Sequence, residues 1–141
     1  MMRDMRLLKW NVMMALCLLI LGCGSGNQAK PVYVTTGRVL YNDQPLVGAS
    51  VTFYPIDRVM LQKETPTGAT DAQGNFTMST YGSSDGVPTG YYRVAIVPAD
   101  HKLDSPFPLI YVDPMRSGLK AQVNSTATAL PAFELKGPVL K

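Results

Sequence analysis

Few side chains in this 141-residue chain are suited to covalent or acid–base chemistry. It has two thiols, Cys17 and Cys23, and a single imidazole, His101. A nucleophilic triad needs a base held by a third group, and a three-histidine zinc site needs more imidazoles than the chain has. His101 sits between Asp100 and Asp104 in a proline-bearing stretch and reads as a solvated loop residue. Of the 10 acidic residues, all but Asp4 follow residue 22. Most fall at turn positions, where Asp bonds the local backbone. A hydrolase working through a carboxylate pair needs two converging acids, and no spacing here selects a pair. Asp71-Ala72-Gln73-Gly74 lacks the dense alternating acids of a calcium loop. No glycine-rich turn opens a helix to cradle phosphate. The expectation is therefore no catalytic residue, no metal and no cofactor.

Cys23 is the thiol whose neighbours prescribe a reaction. Arg3, Arg6 and Lys9 precede an apolar run from Val12 to Leu21. A basic stretch followed by a short apolar one is the pattern of a secretory signal. Eleven residues from Asn11 to Leu21 cover roughly 16 Å at ~1.5 Å each, about half of a ~30 Å hydrocarbon core. Ile20-Leu21-Gly22-Cys23 then resembles the lipobox of bacterial lipoproteins: an aliphatic residue, a variable one, a small one and the cysteine. The resemblance implies cleavage after Gly22 and a covalent lipid on Cys23. Gly24 rather than Asp follows, which resembles the default for sorting to the outer membrane.

Removing residues 1–22 changes the totals. Three of the 13 basic and one of the 10 acidic residues are lost, leaving 10 and 9. The only tryptophan, Trp10, is lost too, and Cys23 becomes the single cysteine. A nucleic-acid footprint needs a basic patch or stripe, and the near-neutral remainder shows none, so nucleic acid is not an expected partner. Two or more acyl chains make a stable anchor where one does not. Gly24 to Pro31 is polar and flexible, with a mean span of about 15 Å, and reads as a tether.

From residue 32 the apolar residues alternate with period 2, the mark of strands with one buried face. Gly37, Val39 and Tyr41 share one parity; Ala49, Val51 and Phe53 form a second set, and Phe76, Met78 and Thr80 a third. Tyr92, Val94 and Ile96 form a fourth with Arg93 outward, Leu119, Ala121 and Val123 a fifth, and Phe133 and Leu135 a short sixth. Thr67, Ala69 and Asp71 are expected to continue a strand pairing with the third set. Asn42 to Gly48 links the first two strands, and Asp71-Ala72-Gln73-Gly74 fits a type I turn whose carboxylate takes backbone N–H groups. Eleven prolines punctuate the runs and favour short strands over helices. The expected fold is all-β: an immunoglobulin-like or transthyretin-like sandwich of about seven strands. Its expected bounds are signal peptide 1–22, lipidated cysteine and tether 23–31, and sandwich domain 32–141.

These runs also carry a resemblance. Gly37-Arg38-Val39 followed by Pro45-Leu46-Val47-Gly48-Ala49-Ser50-Val51-Thr52-Phe53 resembles the opening hairpin of carboxypeptidase regulatory-like domains. Thr70 to Phe76 is similar to that family's "T-D-x-x-G-x-F" hairpin, and Pro88 to Val94 to its "P-x-G-x-Y-x-V" strand entry. Ile110 to Pro114, Ser117-Gly118-Leu119 and Phe133-Glu134-Leu135 are similar to small bacterial lipoproteins that carry one such domain. The resemblance implies a seven-stranded sandwich with no catalytic residues of its own, placed in the bacterial cell envelope.

Aromatic side chains are the remaining resource for recognition. Tyr41, Phe53, Phe76, Tyr92 and Phe133 are in register with strand interiors and are expected in the core. Tyr81, Tyr91, Phe107 and Tyr111 flank or occupy loops and are the candidates for ligand contact. The expected function is a membrane-anchored, non-enzymatic interaction or structural module, with an envelope protein or a glycan as partner. Glycan or peptidoglycan binding through the loop tyrosines is the alternative, and a carboxylate-pair hydrolase the remote one.

Overall fold

The computed structural model describes residues 29–57, 65–100 and 106–139. The expected signal segment, Cys23 and most of the tether lie outside these residues, as do His101 and Asp104. Among the described residues the chain forms strands and one 3-10 turn, Leu109–Tyr111, with no α-helix.

The strands are β1 (Val32–Tyr33), β2 (Thr35–Tyr41), β3 (Gln44–Pro45), β4 (Ser50–Pro55), β5 (Thr67–Ala69) and β6 (Asn75–Thr77). They continue as β7 (Val87–Pro88), β8 (Gly90–Val97), β9 (Lys120–Val123), β10 (Thr128–Ala129) and β11 (Phe133–Leu135). Three sheets result, one of them only the β1–β7 pair. The expectation of about seven strands is too low because proline cuts the pairing into pieces. Pro45 and Pro88 stand in β3 and β7, and Pro131 separates β10 from β11. Proline has no N–H to give a ladder, so it is confined to edges and interruptions.

One sheet is organised around β2, which is bonded on both sides. Its Thr36–Arg38 segment pairs antiparallel with β6 and its Leu40–Tyr41 segment with β3. Along the other edge β10 and β11 run parallel to it, with Phe133 opposite Val39 and Leu135 opposite Tyr41. The link from β2 to β3 is a two-residue turn, Asn42-Asp43, with both residues at positive φ. This is the twist that a tight hairpin requires. The expected Asn42–Gly48 loop thus contains a turn and a strand of its own.

The second sheet is fully antiparallel, in the order β5-β4-β8-β9. Here β5 departs from expectation. It pairs with β4, Ser50 opposite Ala69, and its β pairing toward the third apolar set is a single bridge from Thr67 to Ser79. Thr70 makes that placement stable. Its buried hydroxyl donates to the Leu46 carbonyl and accepts the Ala49 N–H at 2.8 Å, while its backbone bonds Ala49 O and Gly48 N. The Asp71 turn does form as expected: one carboxylate oxygen accepts the N–H groups of Gln73 and Asn75, each at 2.9 Å, and Gly74 closes on the Asp71 carbonyl.

Inward side chains of both larger sheets join one apolar cluster, with Val39, Phe76, Phe133 and Leu135 from the first and Val51, Phe53, Val94 and Ile96 from the second. All five aromatics expected in the core are buried there. Gly37 is central to the first sheet. It faces Phe76 across the strand pair, and a Cβ at Gly37 would stand 2.4 Å from the Phe76 ring tip. The ring lies over bare backbone, the arrangement by which an aromatic covers a strand glycine. Phe76 in turn stacks on Phe133, with centroids 6.1 Å apart and planes 6° from parallel.

Two stability measurements test this packing. Gly37→Ala is expected to destabilise by ~1–3 kcal/mol in urea unfolding, because Phe76 is held by Phe133 and has nowhere to retreat. Thr70→Val is expected to cost roughly 2–4 kcal/mol, because a buried donor and a buried acceptor each lose their partner. A change below ~0.5 kcal/mol in either variant contradicts the packing described.

Candidate functional site

The four aromatic candidates are placed in three different settings. Tyr81 stands at the tip of the loop between Ser79 and Gly86, 42% exposed, and its hydroxyl accepts the Lys30 N–H at 3.1 Å. This loop is shaped by Asp85. One carboxylate oxygen takes the Thr80 N–H at 2.8 Å, and the other takes those of Tyr81 and Gly82 at 3.0 and 2.8 Å. The Thr80 hydroxyl donates to the Gly86 carbonyl, and Ser79 Oγ accepts the Ser84 N–H. Gly86 has a positive φ of 107°, and a Cβ there would stand 2.1 Å from the Tyr33 carbonyl oxygen, so only glycine passes. Partial burial works to raise the Asp85 carboxyl, but the backbone N–H groups of Thr80, Tyr81, Gly82 and Asp85 itself outweigh it and hold it below its usual value.

Phe107 and Tyr111 are drawn together at one end of the core. Phe107 is 2% exposed, against the expectation of a loop position facing a ligand. Its ring packs between Tyr41 and Tyr111, at centroid distances of 5.5 and 5.8 Å. Tyr111 is half-buried, donates to Lys136 O and accepts the Lys136 N–H. The same end clamps the C-terminal segment. Asn42 exchanges two hydrogen bonds with Gly137, Tyr41 donates to Pro138 O, and Lys136 Nζ meets Asp43 at 2.7 Å. Burial, helped by the neighbouring Tyr111, pushes the Tyr41 hydroxyl up. Beside the clamp is an open, mainly apolar hollow of ≈ 370 Å³ lined by Tyr41, Asn42, Gln44, Pro45, Leu46 and Val139.

Tyr91 is the most exposed of the four, at 56%. It lies on the outer face of the second sheet, because its neighbour Tyr92 points into the core against Phe53. Register assembles its surroundings. Tyr91 is opposite Gln122 on β9, and the Tyr91 carbonyl accepts the Ile56 N–H on the β4 side. One row further along, Tyr54, Arg93 and Lys120 stand side by side on β4, β8 and β9. Arg93 Nη1 donates to Met115 Sδ at 3.2 Å, which brings an exposed thioether to the same place. The outward parity of Arg93 is visible from the alternation of Tyr92 and Val94. The meeting of Tyr54, Arg93 and Lys120 is not, since it depends on register between strands far apart in sequence.

Among the described residues no three His, Cys, Asp or Glu side chains gather as metal ligands. Asp71, Asp85 and Asp113 all accept backbone N–H groups within their own turns.

No protein-family model matches the chain, and no curated protein matches it. Among solved structures it is similar to a DUF3823 family protein from Parabacteroides merdae, at 15% identity with a TM-score of 0.40 over 77% of this chain. It is also similar to a 9R-lipoxygenase from Cyanothece, at 14% identity with a TM-score of 0.39 over 79% of this chain. The chain spans 47% of the first of those chains and 18% of the second. These likenesses are distant and assign no family.

The Asp85 loop carries a pH signature. A carboxyl held below its unfolded value contributes stability above about pH 4, and this is lost as the pH falls through the lower folded-state value. Asp85→Asn keeps the size of the side chain but loses the charge and one of its two acceptor oxygens, at a cost of about 1–2 kcal/mol at neutral pH. Thermal unfolding of both proteins from pH 7 down to 3 is expected to show the gap narrowing below about pH 4. A gap that stays constant over that range contradicts the role assigned to the charge.

Proposed function

We propose that the protein is a membrane-anchored envelope lipoprotein whose β-rich domain works as a non-enzymatic interaction or structural module. The observation that carries this reading is Ile20-Leu21-Gly22-Cys23 after a basic and then apolar leader. A small residue before the cleaved bond and a thiol after it are what lipid attachment needs. Two or three acyl chains on Cys23 then hold the domain at a membrane. Gly24 after the cysteine favours the outer membrane as its location.

The domain itself is proposed to be a carboxypeptidase regulatory-like sandwich, of the immunoglobulin-like or transthyretin-like kind. Support comes from where the motifs lie. Gly37-Arg38-Val39 is in β2, the Pro45 to Phe53 run covers β3 and β4, Asp71 to Gly74 is the turn before β6, and Pro88 to Val94 spans β7 and β8. The motifs thus fall on strands and turns that contribute to one core, although β2 and β4, and likewise β5 and β6, lie in different sheets instead of pairing as hairpins. The turn acids are engaged with backbone N–H groups, which favours a structural use of carboxylates over a catalytic one.

The anchor is tested by labelling cells with radioactive palmitate. The wild-type chain is expected to incorporate label and to sediment with membranes, and Cys23→Ser to lose the label and to leave the outer-membrane fraction. Unchanged labelling and fractionation of Cys23→Ser overturn the reading.

A further inference from the structure

We propose that the outer face of the four-stranded sheet binds an acidic polysaccharide, with Arg93 and Lys120 taking sugar carboxylates and Tyr54 and Tyr91 lying against the rings. This rests on the reading of the domain as an interaction module but not on the lipid anchor.

The starting point is a placement that costs stability. Arg93 and Lys120 are direct cross-strand neighbours. Like charges directly opposite in an antiparallel pair repel. Among the described residues no carboxylate comes within ion-pair distance of either cation, and the one such pair, Lys136 with Asp43, lies between the β2–β3 turn and the segment just past β11. Arg93 also meets the neutral Met115 thioether at 3.2 Å, which leaves the repulsion in place, and a local choice that opposes the fold is the kind found at functional or strained sites. An anion seated between the two cations removes the repulsion, so the charge pattern itself states the sign of the ligand.

The neighbouring side chains narrow its class. Tyr54 stands beside Arg93 on the far side from Lys120, and Tyr91 is two residues before Arg93 on the same strand and face. Both rings are exposed, at 36% and 56%. Strands lie ~4.8 Å apart, so the row from Tyr54 to Lys120 spans about 10 Å. Residues i and i+2 of a strand are ~6.6 Å apart, so Tyr91 sits within one sugar unit of the cations. Tyrosine offers rigid area with a hydroxyl at its rim, which suits a sugar face better than a bare phosphate. The arginine fork matches a carboxylate with two parallel hydrogen bonds. Two cations on a flat pleated face are few for a phospholipid surface or a nucleic acid, which both reward larger basic clusters.

Titration calorimetry on the full chain in zwitterionic detergent micelles tests the assignment. The probes are polygalacturonate, the same polymer fully methyl-esterified, and micelles doped with phosphatidylglycerol. Binding to polygalacturonate is expected, weakening as salt rises, with little binding to the uncharged ester. Arg93→Gln and Tyr91→Ala are each expected to weaken it about tenfold. Lys120→Gln is expected to weaken it by less, and Lys136→Gln, which removes the same charge elsewhere, to leave it unchanged. Unaltered circular dichroism in each variant shows that the fold survives. No binding to polygalacturonate overturns the proposal, as does equal binding to the ester. Binding that survives Tyr91→Ala but is displaced by phosphatidylglycerol assigns the face to anionic lipid and overturns it too. Failure here leaves palmitate labelling of Cys23 untouched, and failure of that labelling leaves this face as described.

Discussion

The sheet around β2 depends on the absence of one side chain. At Gly37 the backbone is bare, and the Phe76 ring lies directly on it. Phe76 belongs to β6 on one side of β2, and Phe133, stacked against it, belongs to β11 on the other. The stacked rings therefore cross over β2 and tie its two neighbours together. A strand with hydrogen bonds on both edges still needs its neighbours held at one register, and side chains on the buried face do that. β11 is only three residues long and runs parallel to β2. Its ladder alone is short, so the ring contact and the clamp at Lys136 to Pro138 carry much of its attachment.

Much of this architecture was legible in the alternation of apolar residues. The parities of Val39 and Tyr41, Val51 and Phe53, Tyr92 to Ile96, and Ala121 and Val123 all mark the buried side correctly. The Asp71 turn was legible too, because an Asp that accepts N–H groups two and four residues ahead needs only local sequence. What local sequence does not carry is which strand lies beside which. β5 pairs with β4, held by the Thr70 hydroxyl in contacts across more than twenty residues, and leaves the expected Thr67 and Ala69 exposed. The Asn42-Asp43 turn was hidden for another reason. Tight turns of this kind usually announce themselves with glycine, and here Asp takes the second positive-φ position. Phe107 was misplaced because a proline-bearing segment has no period from which to read an inward side.

The candidate surface shows the same division. That Tyr91 and Arg93 point outward follows from Tyr92 and Val94 pointing in. That Tyr54 and Lys120 flank Arg93 is a fact of register across three strands. Chain position separates Tyr54 from Lys120 by more than sixty residues, and only the sheet brings them into one row.

Net charge conceals how the charges are used. The segment after residue 22 is close to neutral, with 10 basic and 9 acidic residues, which suggests a surface of balanced pairs. The fold spends its acids otherwise. Asp71, Asp85 and Asp113 turn inward to backbone N–H groups, and Asp43 pairs with Lys136 beside the C-terminal clamp. An Asp that bonds its own turn stays local, and among the described residues none of Asp71, Asp85 and Asp113 comes within ion-pair distance of a cation. Arg93 and Lys120 face each other by register on the outer side of β8 and β9. The acids of the short turns and the cations of the four-stranded sheet are thus used apart: the first bond their own backbone, and the second stand side by side without a carboxylate among the described residues.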